Sequence, residues 1–526
     1  MIMSFAAHQE IQLLGLLLAL GALLALAPAL RLPVPVLLVL GGVALGFVPG
    51  LPHLVLPPDI VLVALLPPLL YSAAFFTSLR DLRTNLRPIS LLAVGLVATT
   101  MTGVAAVAHA WLGLPWAPAF ALGAIVSPTD ALAVTEIAGR VGMPRRLIAI
   151  LEGESLVNDG TALVLYKAAV GAAVGGSFSI LHVGAHLVLS IVGGIAIGLG
   201  VGFAIRQVRK RTDDPPIEVA IAVLTGYVAY LPASAAGVSG VLAAVTAGVY
   251  MGWYTPELTT AQTRLTGDAF WEILTFLVNA LLFVLVGLQL RSIVHGLSGS
   301  RDYIADAALI CAAVIVIRLV WVPVFSYLPR YLFRSVRERD PYPPWQAPVV
   351  ISWAGIRGGI SLAAALALPT DFPDRSLIIF VTFCVLVVTL VGQGLTLPGL
   401  IRLIRLPEDD GGAAKEDAKA RIKAAEAALV RLEELVADGS VRDDTAERLR
   451  GAYGFRVNRF RARFDADDDG EIEERSTSYQ RVRRELLDAE RNAVVGLRRS
   501  GYINDDVMKR VQRDIDLEAA RLDVPG

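Results

Sequence analysis

The sequence predicts an all-α polytopic membrane protein of about thirteen transmembrane helices, followed by a helical cytoplasmic tail. Of its 526 residues, 55% are hydrophobic and 18% charged, and the mean hydropathy is +0.60. Apolar runs of membrane-spanning length recur from residue 11 to residue 401. Basic residues, finally, gather in alternate loops. The formal net charge of −1 carries little meaning because the charges are segregated, and nothing in the chain marks a nucleic-acid partner. Cys311 and Cys384 both fall in apolar runs, so neither a disulfide framework nor a zinc motif is implied.

The first span, 10–30, is too long for a signal-peptide core and follows no basic segment, so it is expected to persist as a helix. Spans at 33–50, 59–78 and 88–112 follow. The fifth, 116–137, contains Ser127-Pro128-Thr129-Asp130. Proline removes a backbone donor and clashes with the preceding turn, so the helix should break there. A broken helix in lipid must line protein or water.

The sixth span, 146–171, carries Gly153-Glu-Ser-Leu-Val-Asn-Asp159. The seventh, 180–206, starts with His182 and His186 one turn apart, read as interfacial packing. The eighth and ninth, 216–232 and 235–253, are short, as is the second. The tenth, 268–290, includes Asn279 and Gln289, which either line a cavity or bond across helices. The eleventh, 303–332, holds Arg318. The twelfth, 345–369, holds Gly355-Ile-Arg357-Gly-Gly359, whose glycines weaken the helix. The thirteenth is 374–404.

Orientation follows from the loops. Arg80, Arg83 and Arg87, then Arg140, Arg145 and Arg146, then Arg206, Arg209, Lys210 and Arg211, and later Arg330, Arg334, Arg337 and Arg339 follow odd-numbered spans. The positive-inside rule then puts the N-terminus outside and the C-terminus in the cytoplasm.

Depth brings the polar groups together. Climbing from Arg146 at about 1.5 Å per residue, Asp159 lies roughly 20 Å in, near the middle of a core about 30 Å thick. A carboxylate there must be paired, watered, or able to carry a proton or cation. Ser155 shares its face, while Glu154 and Asn158 form a neighbouring stripe. Thr129 and Arg357 reach similar depth from the two interrupted helices, an arrangement that points to a transporter site. The Thr129 hydroxyl and the carbonyls freed by Pro128 suit a small hard cation. If Glu154 is neutralised by Arg318 or Arg357, Asp159 stays free for a cation or a proton. Glu152, one turn below Ser155, is a candidate funnel residue.

Together, Ser127-Pro-Thr-Asp130, Leu151-Glu-Gly-Glu-Ser-Leu-Val-Asn-Asp159, Gly355-Ile-Arg-Gly-Gly359 and Phe270-Trp-Glu-Ile-Leu-Thr-Phe-Leu-Val-Asn279 resemble bacterial monovalent cation/proton antiporters of the NhaP and NHE type. The resemblance covers roughly residues 10–405. It implies an inverted repeat, two crossing discontinuous helices, a homodimer in the plasma membrane, and a transporter rather than an enzyme, with no cofactor. It implies that Asp159, helped by Thr129 and Ser155, binds the metal cation and the proton alternately. The remaining site residues, Asn158, Glu154, Arg357, Arg318, Asp130 and Ser72, are supporting. Arg357 is the first choice to pair with Glu154, and Arg318 the second.

Asn158-Asp159, rather than two aspartates, resembles the electroneutral branch. Sodium is the expected cation, with lithium or potassium as alternatives, and a cation channel is the competing class of function. Relatives commonly carry an acid where this chain has Ser72.

From about residue 406 to 526 the chain changes character. Ile422, Leu429, Leu432 and Val436 sit at helical spacing among charges, which reads as a soluble, mostly helical domain. Asp465–Glu473 resembles the start of a calcium loop, but Ser476 stands where a bidentate glutamate belongs, so an acidic inter-helix loop is expected.

Overall fold

A chain that must cross lipid can satisfy its backbone only within helices or a closed barrel, and every regular element among the described residues is helical. The computed structural model describes residues 7–30, 32–48, 60–175, 180–297, 302–406, 412–462 and 471–523. Two compact units result, Met1–Leu406 and Pro407–Gly526.

The first unit starts with α1 (Ala7–Leu30), α2 (Val34–Gly46) and α3 (Leu66–Phe76). Short α4 (Leu79–Thr84) and α5 (Leu86–Ser90) lead into α6 (Val97–Leu112). The broken fifth span is α7 (Trp116–Val126) and α8 (Ala131–Val141). The sixth is one long helix, α9 (Arg145–Gly175). Then come α10 (Ile180–Arg209), α11 (Pro215–Ala235), α12 (Gly240–Leu258), α13 (Ala261–His295) and α14 (Tyr303–Leu332). After a single turn, α15 (Arg334–Arg339), the broken twelfth span is α16 (Gln346–Trp353) and α17 (Gly359–Leu366). The last span comprises α18 (Arg375–Val387) and α19 (Gly394–Ile404).

Seven of these stretches are individually long and apolar enough to cross a membrane; the other expected spans are met by shorter or more charged helices. Boundaries differ from the sequence expectation chiefly at α13, which begins at Ala261 rather than 268. π-helical stretches at Ile60–Leu65, Leu91–Leu96 and Val388–Gln393 interrupt the third, fourth and thirteenth spans. All-apolar sequence shows no periodicity from which such a register change could be read.

Small residues set the helix spacing. A Cβ on Gly42 would lie 2.4 Å from the Val284 carbonyl oxygen, and one on Gly287 would lie 2.3 Å from that of Val39, so α2 and α13 touch backbone to backbone. Helix α9 sits centrally, against α7 and α8 on one side and α3, α10 and α12 on another. Leu66, Leu156, Tyr230 and Val241 pack into an apolar layer where α3, α9, α11 and α12 meet. Of the basic loop residues, Arg87 and Arg146 reach Asp340 at 3.3 and 3.1 Å, and Arg330 joins them.

The second unit comprises α20 (Gly412–Ala437), α21 (Asp443–Ala462), α22 (Glu471–Arg499) and α23 (Asp505–Asp523). Leu432, Ala446 and Val457 are buried in it. Arg450 grips Glu433 through two hydrogen bonds of 2.6 and 2.8 Å, and those bonds hold the Glu433 carboxyl below its usual range. Of the candidate calcium loop, Asp465–Glu473, residues 465–470 lie outside the described residues, as do the side chains of 471–473 at the start of α22.

Candidate functional site

Both predicted interruptions exist, and they touch. Residues 127–130 and 354–358 are non-helical, and the Asp130 N–H donates to the Ile356 carbonyl at 2.8 Å. Two half-helix N-termini, α8 and α17, therefore meet two C-termini, α7 and α16. Their partial charges need partners where there is no bulk water.

The side chains supply those partners in sign order. Asp130 accepts the Leu132 N–H at 2.9 Å and so caps α8. Its carboxylate also lies against Gly358, the N-cap of α17, where a Cβ would stand 2.6 Å from Oδ2. At the negative ends, Arg357 Nη1 donates to the carbonyls of Ser127 (2.7 Å) and Pro128 (3.2 Å). Arg318 donates through Nε and Nη2 to the Ile351 carbonyl at 3.1 and 3.0 Å, near the end of α16.

The partner of Glu154 is Arg318, not the first choice, Arg357. Arg318 Nη2 meets Glu154 Oε2 at 2.8 Å, Nη1 meets Oε1, and the two side chains are 2% and 1% exposed. Arg357 is occupied with the end of α7 instead. Gly355 makes the choice sterically feasible, because a Cβ there would lie 2.5 Å from Arg318 Cδ.

The stripe beside Asp159 is knitted into this network. Thr129 Oγ1 donates to Glu154 Oε1 at 2.9 Å and accepts from Asn158 Nδ2 at 2.8 Å. Ser155 Oγ donates to the Thr129 carbonyl at 2.9 Å and accepts the Ala131 N–H at 3.3 Å. Each hydroxyl thus gives one bond, receives one, and keeps a second lone pair. Asp159 is 6% exposed and makes no hydrogen bond or ion pair among the described residues.

A cavity of about 410 Å³ reaches Asp159, with Thr129, Asp130, Ser155 and Ser72 in its wall. Ser72 spends its hydroxyl proton on the Leu69 carbonyl at 2.9 Å. Glu152 lies in the wall too, as does Asn279. Gln289 does not; it is buried and bonded to the Leu285 carbonyl at 3.4 Å. His186 and Lys167 line a separate cavity of about 780 Å³ beyond Leu163, Tyr230 and Val241; the His182 side chain lies outside the described residues.

Sequence reasoning missed two features. Arg209, counted there among loop cations, is buried and bonded to Glu218 at 2.8 Å and Thr255 at 3.3 Å. An acid just inside the eighth span was the available signal. Asp268 and Glu272 of α13 stand at the cavity's mouth and received no role.

Comparison with known proteins gives a consistent result. The family described as "Sodium/hydrogen exchanger, transmembrane" matches residues 15–403. An uncharacterised Na⁺/H⁺ exchanger of Mycobacterium tuberculosis is 38% identical over 504 residues, covering 94% of this chain and 92% of the relative. The low-affinity Na⁺/H⁺ antiporter NhaS1 of Synechocystis is 34% identical over 396 residues, covering 75% and 74%. The fold matches the sodium proton antiporter MjNhaP1 of Methanocaldococcus jannaschii with a TM-score of 0.62 at 19% identity, covering 77% of this chain and 99% of that one.

Proposed function

Because the chain belongs to the sodium/hydrogen exchanger family, we propose that it exchanges sodium for protons by competition at Asp159. One observation carries the assignment of residues: among the described residues Asp159 is a deep carboxylate without a partner, and it lines the cavity. The charge of Glu154 is consumed by Arg318, and Asp130 serves two helix ends.

Deprotonated, Asp159 takes a cation whose remaining coordination comes from the spare lone pairs of Ser155 and Thr129 and from water. Protonated, it is neutral and releases the cation. Both occupied forms have the same charge, so crossing the dry barrier is possible for either, while the bare carboxylate pays a large desolvation penalty. One titratable group serving both ligands makes the exchange one-for-one and electroneutral. The rate therefore falls at low pH, where protons hold the site, and again at high pH, where protons are scarce.

The exposed acids of the cavity wall, Asp268 and Glu272, stand in the first half of α13, the side that the basic loops assign to the cytoplasm. The protein is accordingly proposed to sit in the plasma membrane with its N-terminus outside and tail inside, and the family resemblance supports a homodimer. Potassium or lithium in place of sodium would use the same chemistry. A channel would use the same crossing without an essential titratable group.

The test is dequenching of a pH dye in proteoliposomes with no applied voltage. The wild type should dissipate a pH gradient on adding sodium, and Asp159→Asn should abolish that flux while remaining a folded protein in detergent. Sodium-dependent proton movement persisting in the variant would sink the proposal.

A further inference from the structure

Four residues of α13 fall on one helical face and all line the Asp159 cavity: Asp268, Glu272, Thr275 and Asn279. Their steps of four, three and four residues keep them within about 60° of one another, over roughly 16 Å of helix. The two acids at the mouth are exposed; Thr275 and Asn279 are half-buried. Thr275 spends its proton on the Trp271 carbonyl at 2.6 Å. The Asn279 amide makes no hydrogen bond among the described residues.

The stripe ends where α13 reaches the crossing. Its next inward residue, Leu282, lies 4.0 Å from where a Cβ on Gly359 would be, and the adjacent Gly358 lies against Asp130. Asn279 is thus one turn, about 5 Å, short of the crossing. The facing wall, α3, contributes Ser72, whose hydroxyl is uncharged and already bonded. Asp159, 6% exposed and without a partner among the described residues, lines the same cavity.

We infer that this face of α13 is the cation's approach to Asp159, with Glu272 and Asp268 concentrating cations at the mouth and the Asn279 carbonyl oxygen completing the coordination shell beside Asp159. The inference rests on the reading of Asp159 as the exchange site. Its physics is separable: two exposed carboxylates act over distance and are screened by salt, whereas an amide dipole acts only by contact. A hydrated monovalent cation losing part of its shell needs oxygen donors in place of water, and among the described residues Asn279 is an amide of the cavity wall that makes no hydrogen bond.

The test uses everted membrane vesicles, with sodium added to the face that bears Asp268, at low and high choline chloride. Glu272→Gln should raise the KM for sodium about three- to tenfold at low ionic strength, shrinking to less than about twofold at high ionic strength. Asn279→Ala should raise the KM at both ionic strengths and change the sodium-to-lithium ratio, and Asn279→Asp should restore sodium binding. KM values within twofold of wild type for both loss variants would overturn the inference. So would lower maximal rates with unchanged KM, or a Glu272→Gln effect indifferent to salt. Loss of the wild-type flux's dependence on Asp159 would instead overturn the parent reading, so the two failures are distinct.

Discussion

Two acids separated by little more than one turn of α9 have opposite fates. Glu154 is fully engaged by Arg318 and Thr129, whereas Asp159 faces a cavity with no partner among the described residues. Removing one member of a buried ion pair leaves an uncompensated charge, which typically destabilises by about 3–5 kcal/mol. Glu154→Gln should therefore lower the thermal midpoint of the detergent-solubilised protein markedly. The double change Glu154→Gln with Arg318→Gln should recover much of that loss, because neither charge then stays unpaired. Equal midpoints for wild type and Glu154→Gln would show the pair to be dispensable. The presence of an ion-pair acid and a free acid was legible in the heptad 153–159. Their partners were not, since two arginines at similar depth cannot be ranked by counting residues along separate helices.

At the scale of elements, the two broken helices form a single electrostatic unit. Four half-helix ends meet, with Asp130 at the positive pair and Arg357 and Arg318 at the negative pair. The design depends on backbone approach at Gly358. Gly358→Ala places a methyl 2.6 Å from Asp130 Oδ2 and 2.8 Å from its Cβ. That variant should lose at least about tenfold in exchange rate, because a displacement of about 1 Å at a functional site can cost about 10²-fold. Gly139→Ala in α8 meets nothing within 4 Å and should behave as wild type in the same vesicle assay. Similar rates for both would dissociate the crossing from transport. That helices break at Pro128 and at the glycines of 355–359 follows from local chemistry. That the breaks bond to each other, Asp130 to Ile356, is a contact between residues more than two hundred positions apart.

The whole molecule divides into a membrane unit, Met1–Leu406, that holds the Asp159 cavity, and a second helical unit, Pro407–Gly526. Since every wall residue of the Asp159 cavity belongs to the first unit, a chain ending at about residue 406 should keep sodium-driven proton flux in proteoliposomes. Abolition of flux without loss of the inserted protein would make the tail an obligatory part of the machine. Hydrophobic content and apolar run length were enough to predict a polytopic helical protein, because lipid leaves the backbone no other option on this scale. Prolines, glycines and charges at mid-depth were enough to predict the interrupted helices and the buried position of Asp159, because such residues are unfavourable in lipid unless the fold accommodates them. The pairing of Glu154 with Arg318, the capping duty of Arg357 and the common face of α13 on the cavity were decided only in three dimensions. Each depends on helix rotation and on which glycine admits which side chain, and neither quantity is written in the spacing of residues along one helix.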